Sequence, residues 1–292
     1  MDVSIIIVSY NTRSLLKNCL FSIYKETKDI EFEVIVCDNA SGDGSLEMIK
    51  TEFPQVVLIE SKENAGFGAA NNKAAEKAKG KYLFLLNSDA LLRNNAPLIF
   101  YDYAQKNGKK VLGCFLRDEN GNITHSFDDS KSVFVSFARI AYNSFPFLLK
   151  LKKKIIKKNY IHKEVSCKET FYITGAALFM EKKLFDAIGG FDEAFFMYFE
   201  DADLCRRAAA AGAPSFVISG PKIAHLEGKS SKNGVLKLMF IERGFLIYNK
   251  KYFSRVSFFV FKILYIIYGL LRFASPVYSF SEKKKLFLNI WV

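Results

Sequence analysis

The chain is poor in the residues that build small cross-linked or metal-clipped domains. Its 292 residues include only five cysteines, three histidines, six prolines and one tryptophan. The cysteines (Cys19, Cys37, Cys114, Cys167 and Cys205) are scattered, odd in number and never spaced as CxxC. That excludes a disulfide framework and a zinc ribbon, and it fits a reducing compartment. No internal repeat, low-complexity stretch or charged leader with a cleavage site is found, so no secretory signal is expected and the working domain is expected to face the cytoplasm. Nucleic acid is not expected as a partner: no motif for it is present, and the basic segments are mixed with aliphatic residues. Disorder is excluded because half the residues are apolar and 15% are aromatic.

What is present begins with charge. The formal net charge is +12, and it is regional. Nine Lys or Arg and no Asp or Glu fall between Lys131 and Lys163, and the last fifty residues are also basic, whereas the first hundred are mixed. A basic excess of this kind calls for an anionic partner such as a nucleotide or an acidic membrane surface.

The first hundred residues alternate strand and helix. Val3–Val8, Phe32–Cys37, Val56–Ile59 and Tyr82–Leu86 are predominantly apolar runs, interrupted only by Ser4 and Glu33, of the type that forms buried parallel strands. Leu15, Leu16, Cys19, Leu20 and Ile23 recur at helical spacing, and Ala69–Ala78 is an Ala/Lys-rich helix. The fold class is therefore α/β, with helices on both faces of a mostly parallel central sheet. In such sheets ligands bind beyond the carboxyl ends of the strands. Three strands end in polar clusters, Ser9-Tyr10-Asn11, Asp38-Asn39-Ala40-Ser41 and Asn87-Ser88-Asp89, which adjacent strands would bring to one rim. Further on, Asp118–Asn122 reads as a hairpin turn, and Phe171–Met180 as an apolar run centred on Gly175-Ala176-Ala177. A helix follows up to Gly189-Gly190, and another runs from Glu200 to Ala211, opened by acids and stopped by Gly212.

Each cluster has a chemical reading beside an ordinary one. Asp38 at a strand end can accept a hydrogen bond from a base N–H, or it can simply shape a βα turn. Asn64-Ala65-Gly66-Phe67-Gly68 and Asn71 form a glycine-bearing loop that permits close backbone approach, yet it lacks both the phosphate-loop lysine and the dinucleotide spacing. Asp89 can hold Mg²⁺ or Mn²⁺ together with diphosphate oxygens, because hard cations take oxygen ligands and keep open positions. Glu200-Asp201-Ala202-Asp203 sets three carboxylates behind an aromatic run. A carboxylate against apolar surface has a raised pKa and suits a general base, while a charged helix start is the plainer account. His225, isolated in sequence, reads more readily as structural than as a ligand.

Taken in order, these elements resemble glycosyltransferase family 2, with the GT-A fold, and most of all its rhamnosyltransferase-type bacterial members. The resemblance is carried by Ser4–Asn11, Asp38-Asn39, Asn64–Asn72, Asn87-Ser88-Asp89, Gly189–Glu193 and Phe199–Leu204, and covers about residues 3 to 226. It implies that Asp38 recognises a uracil or thymine ring, with Ser9, Tyr10 and Asn11 along the nucleotide. Asn64, Gly66, Asn71 and Ser88 would line the donor site. Asp89 would be the metal-binding acid, joined by Asn87 and His225, with Mg²⁺ or Mn²⁺ as cofactor. Asp201, with Glu200 beside it, would be the general base. One departure is that Asn87 stands where the family's DxD motif has its first acid, leaving a carbonyl oxygen in place of a carboxylate. The implied reaction is an inverting transfer from a dTDP- or UDP-linked sugar, rhamnose from dTDP-rhamnose among them, to a hydroxyl of a cell-surface glycan or polyprenyl-linked precursor. The expected organisation is a nucleotide-sugar-binding half over 1–110, an acceptor and catalytic half over 111–230, and a C-terminal helical membrane-associating segment over 231–292.

Two other readings differ in class. A nucleotidyltransferase would place a glycine-rich basic loop directly after the first strand, where this chain has Ser9-Tyr10-Asn11-Thr12-Arg13. A non-catalytic scaffold or glycan-binding member of an assembly complex would not need Asp89, Asp201 and His225. At the C-terminus, Val256–Phe273 is nearly all apolar, but Arg255, Lys262, Gly269 and Arg272 share one helical stripe. That stripe favours a helix lying in the membrane interface over a span or a buried core helix, with Lys283-Lys284-Lys285 and the basic 150–158 segment beside an anionic leaflet. The expected location is cytoplasmic, peripheral on the inner face of the membrane.

Overall fold

A computed structural model describes residues 1–129, 165–226, 234–275 and 277–289. The basic segment 150–158 lies outside these. The described residues form two compact units. The first comprises 1–129, 165–196 and 200–226; the second comprises 197–199, 234–275 and 277–289.

In the first unit the elements run β1 (Val3–Ser9), α1 (Arg13–Glu26), β2 (Phe32–Asp38), α2 (Ser45–Glu52), β3 (Val57–Glu60), α3 (Phe67–Lys77), β4 (Tyr82–Leu86), β5 (Ala90–Leu92), α4 (Ala96–Asn107) and β6 (Val111–Cys114). They continue with β7 (Phe127–Asp128), β8 (Cys167–Thr170), β9 (Tyr172–Ile173), β10 (Ala177–Glu181), α5 (Lys182–Ala187), α6 (Glu200–Ala210), β11 (Ser215–Ile218) and β12 (Ile223–His225). The central sheet has the order β3-β2-β1-β4-β10-β6-β11-β8. Its first four strands are parallel, as expected, while β10 runs antiparallel to both β4 and β6, and β8 antiparallel to β11.

Side-chain alternation on the strands builds a core on each face. Val3, Ile5 and Ile7 of β1 pack with Leu16, Cys19, Leu20 and Ile23 of α1. Ile6, between them, points the other way to Ala70 and Ala74 of α3 and Leu204 of α6. Each such Ile, fully buried, contributes roughly 1.5–3 kcal/mol. Small alanines on α3 let that helix sit close to the sheet.

Several expectations are revised in detail. The Phe171–Met180 run is two strands, β9 and β10, broken at Thr174–Ala176. The Asp118–Asn122 turn is closed by Asp118 N–H to the Asn122 carbonyl at 2.8 Å and by a single bridge between Arg117 and Ile123, not by a full hairpin. The helix after the Asn64 loop starts at Phe67, two residues earlier than the Ala-rich pattern marks. His225 lies within a strand, β12, which pairs with β5 and sets His225 opposite Ala90.

The second unit contains α7 (Gly234–Tyr252), α8 (Arg255–Leu271) and α9 (Phe280–Leu288). Ser254 caps α8 through Ser257 N–H, and Ser279 with Glu282 forms a capping box on α9. Phe245, Leu246, Tyr265, Tyr268 and Leu286 make its core. Arg272 corrects the helical-stripe reading. It does not face a polar surface: it is 1% exposed and forms an ion pair with the equally buried Glu242 of α7, and Gly269 is buried on the same side. The outward face of α8 is apolar instead, with Val256, Phe259 and Leu264 all more than half exposed.

Removing one member of such a pair strands the other charge in the core, which costs about 3–5 kcal/mol. Arg272→Ala is therefore expected to let protease cut within 234–289 at a urea concentration where the parent resists. Unchanged resistance would mean that the pair is not closed.

Candidate donor and catalytic site

The carboxyl ends of β1, β2 and β4 are neighbours, so three polar clusters meet along one rim. Their loops are laced together. Asn11, at φ 53, donates its N–H to Ser41 Oγ at 2.8 Å, and its Oδ1 accepts from Gly42 N–H at 2.8 Å. Ser9 Oγ lies 3.2 Å from Thr12 Oγ1, which donates to Ser88 Oγ at 3.1 Å, tying the end of β1 to the loop after β4. Tyr10 stands out from this network, about half exposed.

Asp38 is fully buried. Its Oδ1 accepts from Ser41 N–H at 2.7 Å, while its Oδ2 has no partner. Beside it, Asn39 donates to the Gly66 carbonyl at 3.0 Å and leaves its own Oδ1 unpartnered. A buried acceptor without a donor is costly, at about 1–3 kcal/mol. Two of them at a strand end suit a ligand that brings N–H groups.

The glycine loop is held by Asn64, whose Oδ1 accepts from Gly66 N–H at 3.0 Å. Gly66 has φ 90, and a Cβ there would lie 2.3 Å from the Phe196 carbonyl, the same oxygen that accepts from Phe67 N–H. Only glycine fits both demands. Asn71 is buried on α3 and donates to the Phe67 carbonyl at 2.9 Å, within its own helix.

Asp89, after β4, is 4% exposed. Its Oδ1 lies 3.2 Å from His225 Nε2, and the Asn87 side-chain amide lies 3.4 Å from the same nitrogen. Strand β12 delivers His225 by pairing with β5, the continuation of the Asn87–Asp89 turn. His225 Nδ1 is buried without a partner. Asp89, His225 and Asn87, scattered in sequence, thus form one cluster.

The acidic pair opens α6. Glu200 is buried with an unpartnered Oε2, and Asp201 is half-buried. Asp201 Oδ2 accepts from Gly175 N–H at 3.1 Å and Oδ1 from Ala202 N–H at 2.8 Å. The next residue to Gly175, Ala176, accepts from Asn87 N–H at 3.1 Å. Consecutive residues ahead of β10 therefore hold the acidic pair on one side and the Asp89 cluster on the other. Burial raises the Asp201 pKa to about 6, against the pull of its backbone donors. Glu200 is pushed well above the usual carboxylate range by burial and then by the Asp201 charge. Burial thus favours the neutral form of Glu200, while Asp201, at about 6, is ionised at neutral pH. Directly ahead of them, Tyr198 and Phe199 both adopt left-handed backbone, at φ 70 and 71, which costs about 1–3 kcal/mol each and is typical of functional sites.

A glycosyl transferase family 2 model matches residues 4–189, 64% of the chain by length (186 of 292). The chain belongs to glycosyl transferase family 2. This places it among the glycosyltransferases. It is 34% identical over 126 residues to the poly(ribitol-phosphate) beta-glucosyltransferase of Bacillus spizizenii, covering 41% of this chain but only 20% of that one. It is 24% identical over 243 residues to the N-acetylglucosaminyl-diphospho-decaprenol L-rhamnosyltransferase of Mycobacterium tuberculosis, covering 78% of this chain and 76% of that one. Among solved structures it is similar to GalNAc-T7 with UDP, GalNAc and Mn²⁺, with a TM-score of 0.62 at 17% identity over 99% of this chain and 54% of the other. That likeness shows the fold, which is of the expected GT-A type. Family membership came within reach of the sequence; several contributors to the site did not. Thr12, Ser41, the Gly175 N–H and the Phe196 carbonyl act through hydroxyl or backbone atoms, and only Thr12 and Ser41, beside strand ends, carried a sequence signal.

Proposed function

We propose that this family 2 chain moves a sugar from a nucleotide diphosphate to an acceptor hydroxyl by a single inverting displacement. The observation that carries the reading is Asp201: a carboxylate raised to about 6, ionised at neutral pH and fixed by two backbone donors, tied through Gly175-Ala176 to the Asp89–His225 cluster.

The residues divide the work. Asp38 Oδ2 accepts from N3–H, the one donor of a uracil or thymine ring, with Asn39 Oδ1 beside it. Asn11, Tyr10 and the Ser9–Thr12–Ser88 chain shape the wall along the nucleoside. Asn64, Gly66 and Asn71 set the loop and helix of the donor site. Asp201 takes the proton from the acceptor hydroxyl as that oxygen bonds to the anomeric carbon, and the bond from that carbon to the diphosphate breaks. Inversion follows from attack opposite the leaving group, and no covalent intermediate on the protein is needed. Glu200, pushed toward its neutral form by burial and by the Asp201 charge, keeps a second negative charge away from Asp201.

The residues at the β4 end fit a hard divalent cation of the Mg²⁺ or Mn²⁺ kind. Asp89 Oδ1 and His225 Nε2 converge, the Asn87 amide can turn its oxygen the same way, and the orphaned His225 Nδ1 leaves the ring free to adjust. Two or three protein ligands leave room for diphosphate oxygens and water, as Mg²⁺ prefers. When bound, the ion neutralises charge on the departing diphosphate. Similarity to a decaprenol-linked rhamnosyltransferase supports dTDP-rhamnose as one donor to try and a glycan or polyprenyl-linked acceptor. The scattered, odd-numbered cysteines without CxxC spacing fit a reducing compartment and support a cytoplasmic location.

The pH dependence follows from Asp201. Abstraction by the carboxylate rises with pH through about 6 and then levels. Stability runs the other way. The folded pKa lies above the ordinary 3.8, so the stabilising contribution is full below 3.8 and is lost as pH rises through about 6. A pH profile of kcat/KM, paired with urea midpoints, is expected to show both trends, and Asp201→Asn to flatten the second.

The test of the reading is incubation with dTDP- and UDP-sugars, with and without Mn²⁺, followed by NMR of the product. Metal-stimulated release of nucleoside diphosphate and an inverted anomer are expected. Folded protein that releases nothing from any donor, even by hydrolysis, would favour the scaffold reading; a retained anomer would contradict the single displacement.

A further inference from the structure

We propose that the outward face of α8 docks the protein on an anionic lipid surface, lying in the interface and not crossing it. The inference goes beyond glycosyl transfer and needs none of its steps.

Three observations carry it. First, the exposed apolar residues of α8 lie on one face. Val256, Phe259, Ile263, Leu264, Ile267 and Leu270 are 43–75% exposed. At about 100° per residue they fall within an arc of about 140° that contains no charged residue. A soluble surface seldom shows so continuous an apolar patch, and one of this kind marks an interaction site.

Second, the opposite face of the same helix is already committed. Tyr265, Tyr268 and Gly269 are buried, and Arg272, next after α8, is paired with Glu242. The stretch Arg255–Ala274 is long and apolar enough to cross a membrane by length and composition. A lone spanning helix, however, would expose its whole circumference to lipid, Arg272 included. A helix with one face packed on its own unit and the other bare is suited to lie along a surface.

Third, the charge around this face is of one sign. Over the described residues 234–289, ten Lys or Arg stand against two acids, and one of those acids, Glu242, is consumed by the Arg272 pair. Arg255 lies at the edge of the apolar arc, exposed, and Lys284 and Lys285 are exposed on α9. Basic residues beside an inserted apolar face are attracted to anionic headgroups, whereas a neutral apolar partner protein would leave them unanswered.

The experiment is flotation of the full chain with vesicles of phosphatidylcholine alone, or of equal parts phosphatidylcholine and phosphatidylglycerol. The protein is expected to float with the mixed vesicles and to stay behind with the neutral ones. Ile263→Glu with Ile267→Glu should abolish flotation while leaving the melting profile unchanged, because both side chains point outward. Replacing Lys284 and Lys285 by Gln should weaken binding about thirtyfold, at about 1 kcal/mol for each lysine. Alkaline carbonate should release the bound protein. The proposal is overturned if the chain does not float, if the double Glu variant floats as well as the parent, or if carbonate fails to release it, since that last result means a true span. It is equally overturned if the parent forms a concentration-dependent dimer that the double Glu variant dissolves, because a second copy then covers the face.

Discussion

Asp201→Asn is expected to lower the rate of sugar transfer by about 10²–10⁴-fold while nucleotide affinity stays within a factor of about two, the general-base contribution being the part removed. Asn keeps the size of the side chain and an oxygen for Gly175 N–H. What it loses is the ability to accept a proton. The residual rate should no longer rise with pH near 6. Steady-state kinetics with a fixed acceptor, beside calorimetry of the nucleoside diphosphate, separates the two effects. A loss of affinity equal to the loss of rate would mean that Asp201 shapes the donor site and does not act on the acceptor.

Asp89→Ala is expected to have the opposite signature. Nucleoside diphosphate binding should lose its enhancement by Mn²⁺, and transfer should fall by about 10²–10³-fold, as for removal of one electrostatic stabiliser of a leaving group. Binding of the bare nucleoside should stay intact, because Asp38 and Asn39 lie on a different strand end. His225 loses its carboxylate neighbour 3.2 Å away, so the two-residue contact that would hold the cation is broken. Unaltered metal enhancement in this variant would place the cation elsewhere.

These two residues also show what the sequence could and could not convey. The rim itself was legible. β1, β2 and β4 are predominantly apolar runs that end in polar clusters, and parallel strands of that kind have their ligand side fixed by topology. The acidic opening and Gly212 stop of α6 were equally local, and the helix ends one residue before the pattern suggested. Asp89 and His225, by contrast, are 136 residues apart. Nothing local joins them, and their meeting depends on two three-residue strands, β5 and β12, too short to leave a periodic signal. The break in Phe171–Met180 was hidden in the same way. Its function is to present the Gly175 N–H and the Ala176 carbonyl, and backbone atoms have no sequence identity. For α8, periodicity shows that Arg255, Lys262, Gly269 and Arg272 share a stripe but not which side of the helix faces inward. That was decided by Glu242, thirty positions away, which turns Arg272 into the core and the apolar arc outward.

The central claim is that the rim beyond β1, β2 and β4 holds a pyrimidine nucleoside diphosphate with a divalent cation, separately from the base at Asp201. Calorimetric titration of the full chain with UDP, dTDP and GDP, each with and without Mn²⁺, tests it most directly. The account predicts tighter binding of UDP or dTDP than of GDP, strengthened by Mn²⁺, with the strengthening lost in Asp89→Ala and kept in Asp201→Asn. No heat of binding with any of the three in folded protein, or metal enhancement that survives in Asp89→Ala, would contradict it.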